Sequence, residues 1–374
     1  GAYTVIYLPK GRYRITRTLL LRGKIGFNII GEDPANTIIE WDGGEKDTML
    51  WANGSAYYKI ARITFEGNKK KEVGGLGIHW KDRWNEPKSR SYASLNIEIS
   101  DCNFRGLHVG IGGGYNWNDS EIKINRCSFY NAAWAGISIN GYNALDYWIW
   151  HCRFYECLLG VYNVNGNYHL YNSYFRASGH SDIVNTGGYY TSVRGCFSEQ
   201  SKSFSIDNGF SSNPFKRIFQ DNIVKQTTDL PIYYHHIGKP VFIRNRFDKT
   251  KSDTTGRSAE LKGKKVDAFS APAVLDYSSW ASSTFSVLSI ENQYFYPRPF
   301  RVVTDFPKKN YIIRDTYGKR VSNESADFLK KMPVTPAYRQ RTVFEVPPNA
   351  STDQIQKIIN DAAKLSGNRP VVHF

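Results

Sequence analysis

The stretch that decides the fold lies between residues 99 and 154, where one six-residue pattern occurs three times. It reads Ile99-Ser-Asp-Cys102-Asn-Phe104, Ile124-Asn-Arg-Cys127-Ser-Phe129 and Ile149-Trp-His-Cys152-Arg-Phe154. Each copy has an apolar residue, two variable residues, a small or amide residue, one variable residue and Phe. Further copies span Leu170 to Phe175 and Phe242 to Phe247, with weaker copies around residues 63, 196, 222 and 292.

The spacing of the small or amide residue predicts a solenoid. This residue falls at positions 102, 127, 152, 173, 196, 222 and 245, so the gaps are 25, 25, 21, 23, 26 and 23 residues. A propeller blade needs about 40 residues, and the Leu pattern of leucine-rich repeats is missing. We therefore predict an all-β fold, a right-handed single-stranded parallel β-helix of roughly seven to ten coils with a short C-terminal helix.

Stacking the coils predicts two columns of side chains. One contains small and amide residues at an inward corner, namely Cys102, Cys127, Cys152, Ser173, Cys196, Asn222 and Asn245. An odd total of five Cys in a chain of 374 residues is not a disulfide framework, so these thiols are interpreted as packing residues. The neighbouring column is a Phe stack in the core.

The two ends of the chain suggest a tandem arrangement. Residues 5–15 predict a strand, a Pro-Gly turn and a second strand. Ser351 or Thr352 caps a predicted helix with an apolar face, and a strand follows it. We predict a β-helix over 1–296, an irregular Pro-rich linker over 297–350, and a helix plus strand over 351–374. This last segment either begins a second β-helix of the same full-length protein or folds back as a cap on the first coil.

Charge and hydropathy narrow the classes of partner. The net charge of +15 suits an acidic polysaccharide, nucleic acid or anionic lipid. The charge is scattered, with short basic runs such as Lys69-Lys70-Lys71, and no nucleic-acid motif is present, so we predict no nucleic-acid partner. No apolar run approaches the ~18 residues of a membrane span, so we predict no membrane partner.

The opening of the chain resembles the pectate-lyase-like β-helix superfamily. The resemblance rests on Val5-Ile-Tyr-Leu-Pro-Lys-Gly-Arg-Tyr-Arg-Ile15, Ile29-Ile-Gly-Glu-Asp33 and Thr37-Ile-Ile-Glu-Trp41. Within the superfamily the chain is similar to proteins related to glycoside hydrolase family 28, and its ends resemble the tandem of family 55 glucanases. The resemblance implies a polysaccharide or oligosaccharide partner and a secreted, periplasmic or cell-surface location. The paired-Asp motifs of polygalacturonases are not found at matching positions.

A polysaccharide-processing enzyme is the predicted function, with glycoside hydrolysis slightly favoured. Glycosidases need two carboxyl groups about 5 Å apart if retaining, or about 6.5–9.5 Å apart if inverting. The candidate catalytic residues are Asp146, Asp182, Glu199 and Asp207. Asp182 and Asp207 fall in nearby columns one coil apart and form the first pair. Each also has a structural interpretation, since Asp182 is typical of a bend cap and Asp207-Asn208-Gly209 of a turn.

Two other functions stay open, a lyase acting on an acidic polysaccharide and a noncatalytic carbohydrate-binding or adhesive β-helix. A lyase needs a base for the C5 proton and a cation to neutralise the uronate. The candidates are His180, His235, His236, Arg176, Arg194 and Arg244. No cofactor is predicted for a hydrolase, whereas a lyase could use Ca²⁺, although no Asp cluster has calcium-ligand spacing.

Aromatic and amide side chains complete the predicted substrate-binding set. In Asp146-Tyr147-Trp148-Ile149-Trp150 the alternation places Ile149 inward and both Trp outward, where they either stack on sugars or lie under a covering loop. Trp80 and Trp84 belong to a charged insertion that could wall a groove. Asn163 and Asn185 form either an amide ladder at a turn or part of a groove floor.

Overall fold

The protein is a right-handed parallel β-helix, which confirms the predicted fold class. The computed structural model describes residues 4–21, 23–78, 94–113, 119–141, 144–187, 190–207, 216–235, 239–248, 258–261, 264–267, 273–276, 286–295, 301–303, 309–317, 325–336, 342–365 and 370–373. Within these ranges each coil gives one short strand to each of three parallel sheets, named A, B and C in chain order, except that the last coil has described strands in sheets A and B alone. The sheets hold 12, 12 and 11 strands, more than the predicted number of coils.

The strands of each sheet follow one another along the solenoid axis. Sheet A contains Thr4–Leu8, Phe27–Gly31, Ala56–Ala61, Ser94–Ser100, Asp119–Asn125, Ala144–Trp150, Tyr168–Tyr171, Thr191–Arg194, Lys216–Gln220, Lys239–Ile243, Ser286–Ile290 and Lys309–Ile313. Sheet B contains Gly11–Ile15, Thr37–Trp41, Thr64–Glu66, Asn103–Arg105, Ser128–Tyr130, Arg153–Tyr155, Tyr174–Arg176, Phe197–Glu199, Ile223–Lys225, Arg246–Phe247, Gln293–Tyr294 and Thr316–Tyr317. Sheet C contains Leu19–Leu20, Thr48–Trp51, Gly74–Gly77, Val109–Gly113, Ala135–Ile139, Leu159–Asn163, Ser181–Asn185, Ser205–Asp207, Ile232–His235, Ala273–Asp276 and Arg301–Val303.

The predicted Phe column is the centre of the core. The rings of Phe65, Phe104, Phe129, Phe154 and Phe175 stack in succession, with centroids 5.2, 5.1, 4.8 and 4.6 Å apart and planes within 8° of parallel. These separations follow the spacing of about 4.8 Å between paired strands, because each ring lies directly above the equivalent ring of the previous coil.

The predicted small-residue column lies at the corner between sheets A and B. Four of the five cysteines lie in this column and Cys157 lies after a strand of sheet B; all five are free and buried, and burial raises the pKa of the Cys102 and Cys127 thiols. Further along, the column becomes an amide ladder. Asn222 Nδ2 donates to Asn245 Oδ1 at 2.9 Å, and Asn245 Nδ2 donates to Asn292 Oδ1 at 2.9 Å. Both the thiols and the amides thus act as packing and hydrogen-bonding groups inside the solenoid.

The predicted linker over 297–350 is wrong for its first part. The strands Arg301–Val303, Lys309–Ile313 and Thr316–Tyr317 extend all three sheets, so the coils continue beyond residue 296. Helix α1, Ser325–Lys331, then lies against the outside of sheet B. There Phe328 and Met332 pack with Tyr174 and Phe197 in a small apolar cluster.

Residues 335–374 form a second compact unit, within which the predicted C-terminal helix is confirmed. Helix α2 spans Thr352–Lys364 and begins with a capping box between Ser351 and Gln354. The strand Val343–Glu345 precedes α2 in the chain and the strand Val371–His373 follows it, and the two strands pair in parallel. The insertion after residue 248 contains an antiparallel hairpin, Ser258–Leu261 with Lys264–Asp267.

Candidate functional site on the outer face of sheet A

The outer face of sheet A carries a group of aromatic and ionisable side chains on three successive coils. Strand register places Trp148 beside His169 and Trp150 beside Tyr171, and then His169 beside Ser192 and Tyr171 beside Arg194. The alternate residues Tyr147, Ile149, Tyr168 and Leu170 are fully buried. The group faces outward because side chains alternate across a strand. We name Asp146, Trp148, Trp150, His169, Tyr171, Ser192 and Arg194 the sheet A cluster.

The rings of the sheet A cluster are packed against one another. The Trp148 and His169 rings are stacked, with centroids 4.3 Å apart and an interplanar angle of 22°. Tyr171 meets Trp148 edge-on at 6.4 Å, and the Arg194 guanidinium lies 5.8 Å from the Tyr171 ring centroid. A cation at this distance is attracted to the ring face. The contacts fix the imidazole and phenol in one arrangement while the His169 side chain keeps 24% of its surface exposed.

Hydrogen-bonding groups connect the same residues in a row. Ser192 Oγ donates to Tyr171 Oη at 3.1 Å, and Tyr171 Oη lies 3.4 Å from His169 Nδ1. On the other side of the ring, His169 Nε2 lies 3.9 Å from Asp146 Oδ1. This order favours the tautomer with the proton on Nε2, because a phenol that receives the Ser192 hydrogen bond can donate to Nδ1. Such contacts are often long without a bound substrate.

Electrostatics keep the His169 imidazole neutral near neutral pH. Partial burial lowers the pKa of His169 from its ordinary value of 6.5, Arg194 lowers it further, and Asp146 opposes both. A neutral imidazole beside a phenol can accept a proton, and an exposed guanidinium one coil away can pair with an anion. The sheet A cluster therefore combines a proton acceptor, a hydroxyl and a cation on an accessible aromatic surface.

Asp146 reaches the cluster through a backbone irregularity. It has φ of 54°, and the register skips it between Leu145 and Tyr147. Earlier coils skip Asn96 and Glu121 in the same way, with φ of 53° and 58°. Asp and Asn tolerate this left-handed conformation better than most residues. The repeated bulge re-aims the side chain beside the strand, which is a common role of bulges.

Four predicted residues meet in this cluster, namely Asp146, Trp148, Trp150 and the lyase candidate Arg194. Ile149 is buried and both Trp148 and Trp150 are partly exposed, so the predicted alternation is confirmed. Asp146 lies beside them. Sugar binding by the two Trp and catalysis by Asp146 stay predictions. His169, Tyr171 and Ser192 were missed, although the gap of 21 residues between anchors 152 and 173 maps positions 148 and 150 onto 169 and 171.

The predicted pair of Asp182 and Asp207 does not lie on an accessible face, so that part of the prediction is wrong. Asp182 is fully buried, where it accepts hydrogen bonds from the Ser198 hydroxyl and, at 2.6 Å, from Ser201. Burial raises the pKa of Asp182 to about 7. Asp182 takes the inward place that Gly160 holds one coil earlier, and Ser198 takes the place that Phe175 holds one coil before Ser198.

Asp207 forms a buried ion pair. Its Oδ2 accepts from Arg217 Nε at 2.6 Å, and the two side chains are 3% and 4% exposed. Arg217 Nη2 also donates to the Gly187 carbonyl at 2.9 Å. The pair joins the inner faces of sheets A and C, so Asp207 has a structural partner that explains its burial.

Asn163 and Asn185 form an interior ladder rather than a groove floor. Both are buried, and Asn163 Nδ2 lies 3.3 Å from Asn185 Oδ1. Asn163 also bonds both backbone groups of Gly166, at 2.9 Å each, which closes a turn. Of the two interpretations, the structure shows the amide ladder. Substrate contact by these amides would need a path into the core.

The remaining predicted residues are dispersed. Glu199 lies on the outer face of sheet B, hydrogen-bonded to the Tyr174 hydroxyl near α1. His180 is exposed at the corner between sheets B and C, and partial burial lowers its pKa. Trp80, Trp84, His236 and the side chain of His235 lie outside the described residues.

The described ranges show no gathering of three or more His, Cys, Asp or Glu side chains suited to a metal ion. The Ca²⁺ alternative stays a prediction. Within the same ranges, no helix is long and apolar enough to cross a bilayer.

Three solved structures resemble this chain at low sequence identity. No family model and no curated protein matches it. The A-module of mannuronan C-5 epimerase AlgE4 of Azotobacter vinelandii is 11% identical over 84% of this chain and 89% of that one, with a TM-score of 0.35. A mannuronic acid specific polysaccharide family 6 lyase from human gut microbiota is 10% identical over 88% of each chain, with a TM-score of 0.43. The AlgE6 A-module is 12% identical over 85% and 91%, with a TM-score of 0.28. Likeness at this level carries no argument about activity, and the link to glycoside hydrolase family 28 stays a prediction.

Proposed function

We propose that the protein is a polysaccharide lyase that cleaves a uronate-containing chain by β-elimination on the outer face of sheet A. The observation that carries this proposal is the placement of His169 between Trp148 and Tyr171, with Nδ1 of the imidazole 3.4 Å from the phenolic oxygen. The Arg194 guanidinium lies over the ring of the same phenol, 5.8 Å from its centroid. A base, an acid and a cation are the groups that elimination next to a carboxylate requires.

The proposed step removes the C5 proton, breaks the C4–O glycosidic bond and gives a proton to the leaving oxygen, so Tyr171 and His169 end in their starting protonation states. The Tyr171 oxygen removes the C5 proton of the uronate while its own proton passes to His169 Nδ1. The electron pair of the C5–H bond forms the C4–C5 double bond, and the C4–O glycosidic bond breaks. The leaving oxygen then takes a proton from Tyr171, which His169 reprotonates. Arg194 pairs with the uronate carboxylate, which stabilises the charge that develops next to it.

The surroundings of the cluster suit an acidic polymer. The chain carries a net charge of +15, which raises the local concentration of an anionic substrate. Trp148 and Trp150 give flat apolar surfaces beside the ionisable groups. An extracellular or periplasmic location, where such polymers occur, is part of the proposal. Hydrolysis is less favoured because Asp182 and Asp207, its first two carboxylate candidates, are buried inside the solenoid.

A screen of the purified chain on uronate-containing and neutral polysaccharides tests the proposal. Elimination gives an unsaturated uronate that absorbs in the ultraviolet, together with one new reducing end per cleavage. Tyr171→Phe and His169→Gln should each remove the absorbance, whereas the matched change Tyr130→Phe, on the outer face of sheet B, should leave it intact. Reducing ends without absorbance would show hydrolysis and reject the lyase.

A noncatalytic carbohydrate-binding role is the second candidate. It is favoured by the two outward Trp residues on one strand, since ring surfaces bind sugars without any proton transfer. Binding of an acidic polysaccharide that Trp148→Ala weakens, without any product over long incubation, would select this role.

A further inference from the structure

We propose a second binding site, for an anionic sugar, at the corner between sheets B and C. It consists of the basic run Lys69, Lys70 and Lys71 with His108, Asn131 and Trp134, named here the lysine corner. This corner follows the strands Thr64–Glu66, Asn103–Arg105 and Ser128–Tyr130, whereas the sheet A cluster projects from another sheet. The inference takes the class of ligand, an acidic polysaccharide, from the proposed function.

The lysine corner encloses a concavity of about 430 Å³. All three lysines line it, together with His108 and Asn131. Backbone hydrogen bonds fix the walls, since the Lys69 N–H donates to the Gly106 carbonyl at 3.0 Å and the His108 N–H to the Val73 carbonyl at 2.7 Å. Three consecutive lysines therefore line a preformed hollow on a rigid frame.

An aromatic surface lies next to the hollow. Trp134 is 37% exposed and follows Ala133, which lines the concavity. Its ring stacks near His108 with centroids 6.5 Å apart and meets Tyr162 edge-on at 5.4 Å. Its backbone N–H donates to the His108 carbonyl at 2.9 Å. The indole is thus held in place with part of its surface open, which suits stacking on the apolar face of a pyranose ring.

The local charge selects the type of sugar. Glu72 also lines the hollow, and Glu156 occupies the corner position of the next coil that corresponds to Asn131. The Glu66 carboxylate also lies close to Gly106 in the wall of the hollow. Of the residues that line the hollow itself, three are lysines and one is a glutamate, so an anionic group is favoured over a neutral hydroxyl. A sugar ring on Trp134 with its carboxylate or sulfate among the lysines would use both features. The ligand class is therefore a uronate or sulfated sugar residue, held away from the sheet A cluster.

Calorimetric titration of the full chain with oligogalacturonate, a sulfated galactan oligosaccharide and a neutral cello-oligosaccharide tests this assignment. Lys70→Ala with Lys71→Ala, and separately Trp134→Ala, should weaken one binding event about tenfold, equal to about 1.4 kcal/mol. The matched pair Lys330→Ala with Lys331→Ala removes the same charge from α1 and should change the affinity less than about twofold. The comparison of the carboxylated with the sulfated probe identifies the anionic group.

The result is separable from the lyase proposal. The lysine-corner variants should keep the turnover number of the parent, whereas Tyr171→Phe should remove turnover and keep binding at the lysine corner. Equal binding of neutral and anionic probes, or affinity unchanged in both lysine-corner variants, would overturn the second site. Binding that the lysine-corner variants weaken, with no elimination product from the parent, would support the second site and reject the lyase.

Discussion

The Tyr171 hydroxyl lies 3.4 Å from His169 Nδ1, and the opposite nitrogen of the same ring lies 3.9 Å from Asp146 Oδ1. The imidazole thus stands between a phenol and a carboxylate on an outer sheet face. Because burial and Arg194 lower the pKa of His169 below 6.5, while Asp146 raises it, the ring is neutral at pH 7. Proton acceptance by the pair should therefore depend on pH in a defined direction.

Lyase activity should fall as the pH drops through the folded-state pKa of His169. The base form exists above that pKa, so kcat/KM should have an acid limb with a midpoint below 6.5. Asp146→Asn should shift this limb to lower pH, since the carboxylate raises the pKa. The Glu121→Gln variant, at the equivalent bulge one coil earlier, is the control and should keep the parent's limb. A limb that does not move in Asp146→Asn would show that Asp146 does not act on His169.

Replacement of the outward tryptophans should affect binding more than turnover. Trp148→Ala and Trp150→Ala each remove a ring from the sheet A cluster, so KM for the polymer should rise about tenfold with a smaller change in kcat. Initial rates over a range of polymer concentrations measure both constants. Trp148→Ala also removes the ring stacked on His169, so its kcat should fall further than that of Trp150→Ala. An unchanged KM in both variants would place the substrate elsewhere.

Asp182 should make the free energy of unfolding depend on pH between about 4 and 7. Its pKa is raised from 3.8 to about 7 in the folded protein, so the folded state holds a proton that the unfolded state releases. Its contribution is fully favourable below the unfolded pKa and is lost as the pH rises through the folded pKa. The loss is at most about 4 kcal/mol at about 1.4 kcal/mol per pKa unit.

Asp182→Asn should flatten this dependence, because the amide stays neutral at both pH values. Its oxygen can accept from one of the Ser198 and Ser201 hydroxyls, and its NH2 group can donate to the other. Urea unfolding midpoints at about pH 4.5 and about pH 8 should differ less in Asp182→Asn than in the parent. Glu121→Gln, an exposed carboxyl, should retain the difference of the parent. A parent whose midpoint rises between these two pH values would contradict the raised pKa.

The sequence predicted the coils wherever the corner residue was small or an amide. Cys102, Cys127 and Cys152 stack at one inward corner because every coil makes the same turn there. The regular spacing of these residues in the sequence therefore predicts the turn. The coil ending in Thr316–Tyr317 was missed because Asp315 occupies the corner, where it accepts from Asn292 Nδ2 at 3.2 Å. A carboxylate that continues an amide ladder has no signature in the spacing of Cys and Asn.

The site was predicted less well because the sequence does not show, for every strand, which side chains point into the core and which point outward. Strict alternation placed Ile149 and its two Trp neighbours correctly. In the first residues of the sheet C strands the alternation of inward and outward side chains fails. Both Gly160 and the following Val161 face the core, and a Cβ on Gly160 would lie 2.6 Å from Phe175. Asp182 follows Gly160 in this column, so its carboxyl is directed inward. The column of Gly and Phe changes to Asp182 and Ser198 at this one place, and the sequence alone does not show that these two residues meet in the core.

The buried pair of Asp207 and Arg217 should be worth far more than an exposed pair of the same chemistry. Asp207→Asn leaves the guanidinium without its carboxylate in the core and should reduce the free energy of unfolding by about 3–5 kcal/mol. The Asp221–Arg244 pair is the matched control, with two hydrogen bonds of 2.7 and 2.9 Å but side chains 44% and 48% exposed. Asp221→Asn should cost less than about 1 kcal/mol. Thermal and urea unfolding followed by circular dichroism measure both variants. Equal losses would mean that water reaches Arg217, and that the inner faces of sheets A and C are not held together by this ion pair.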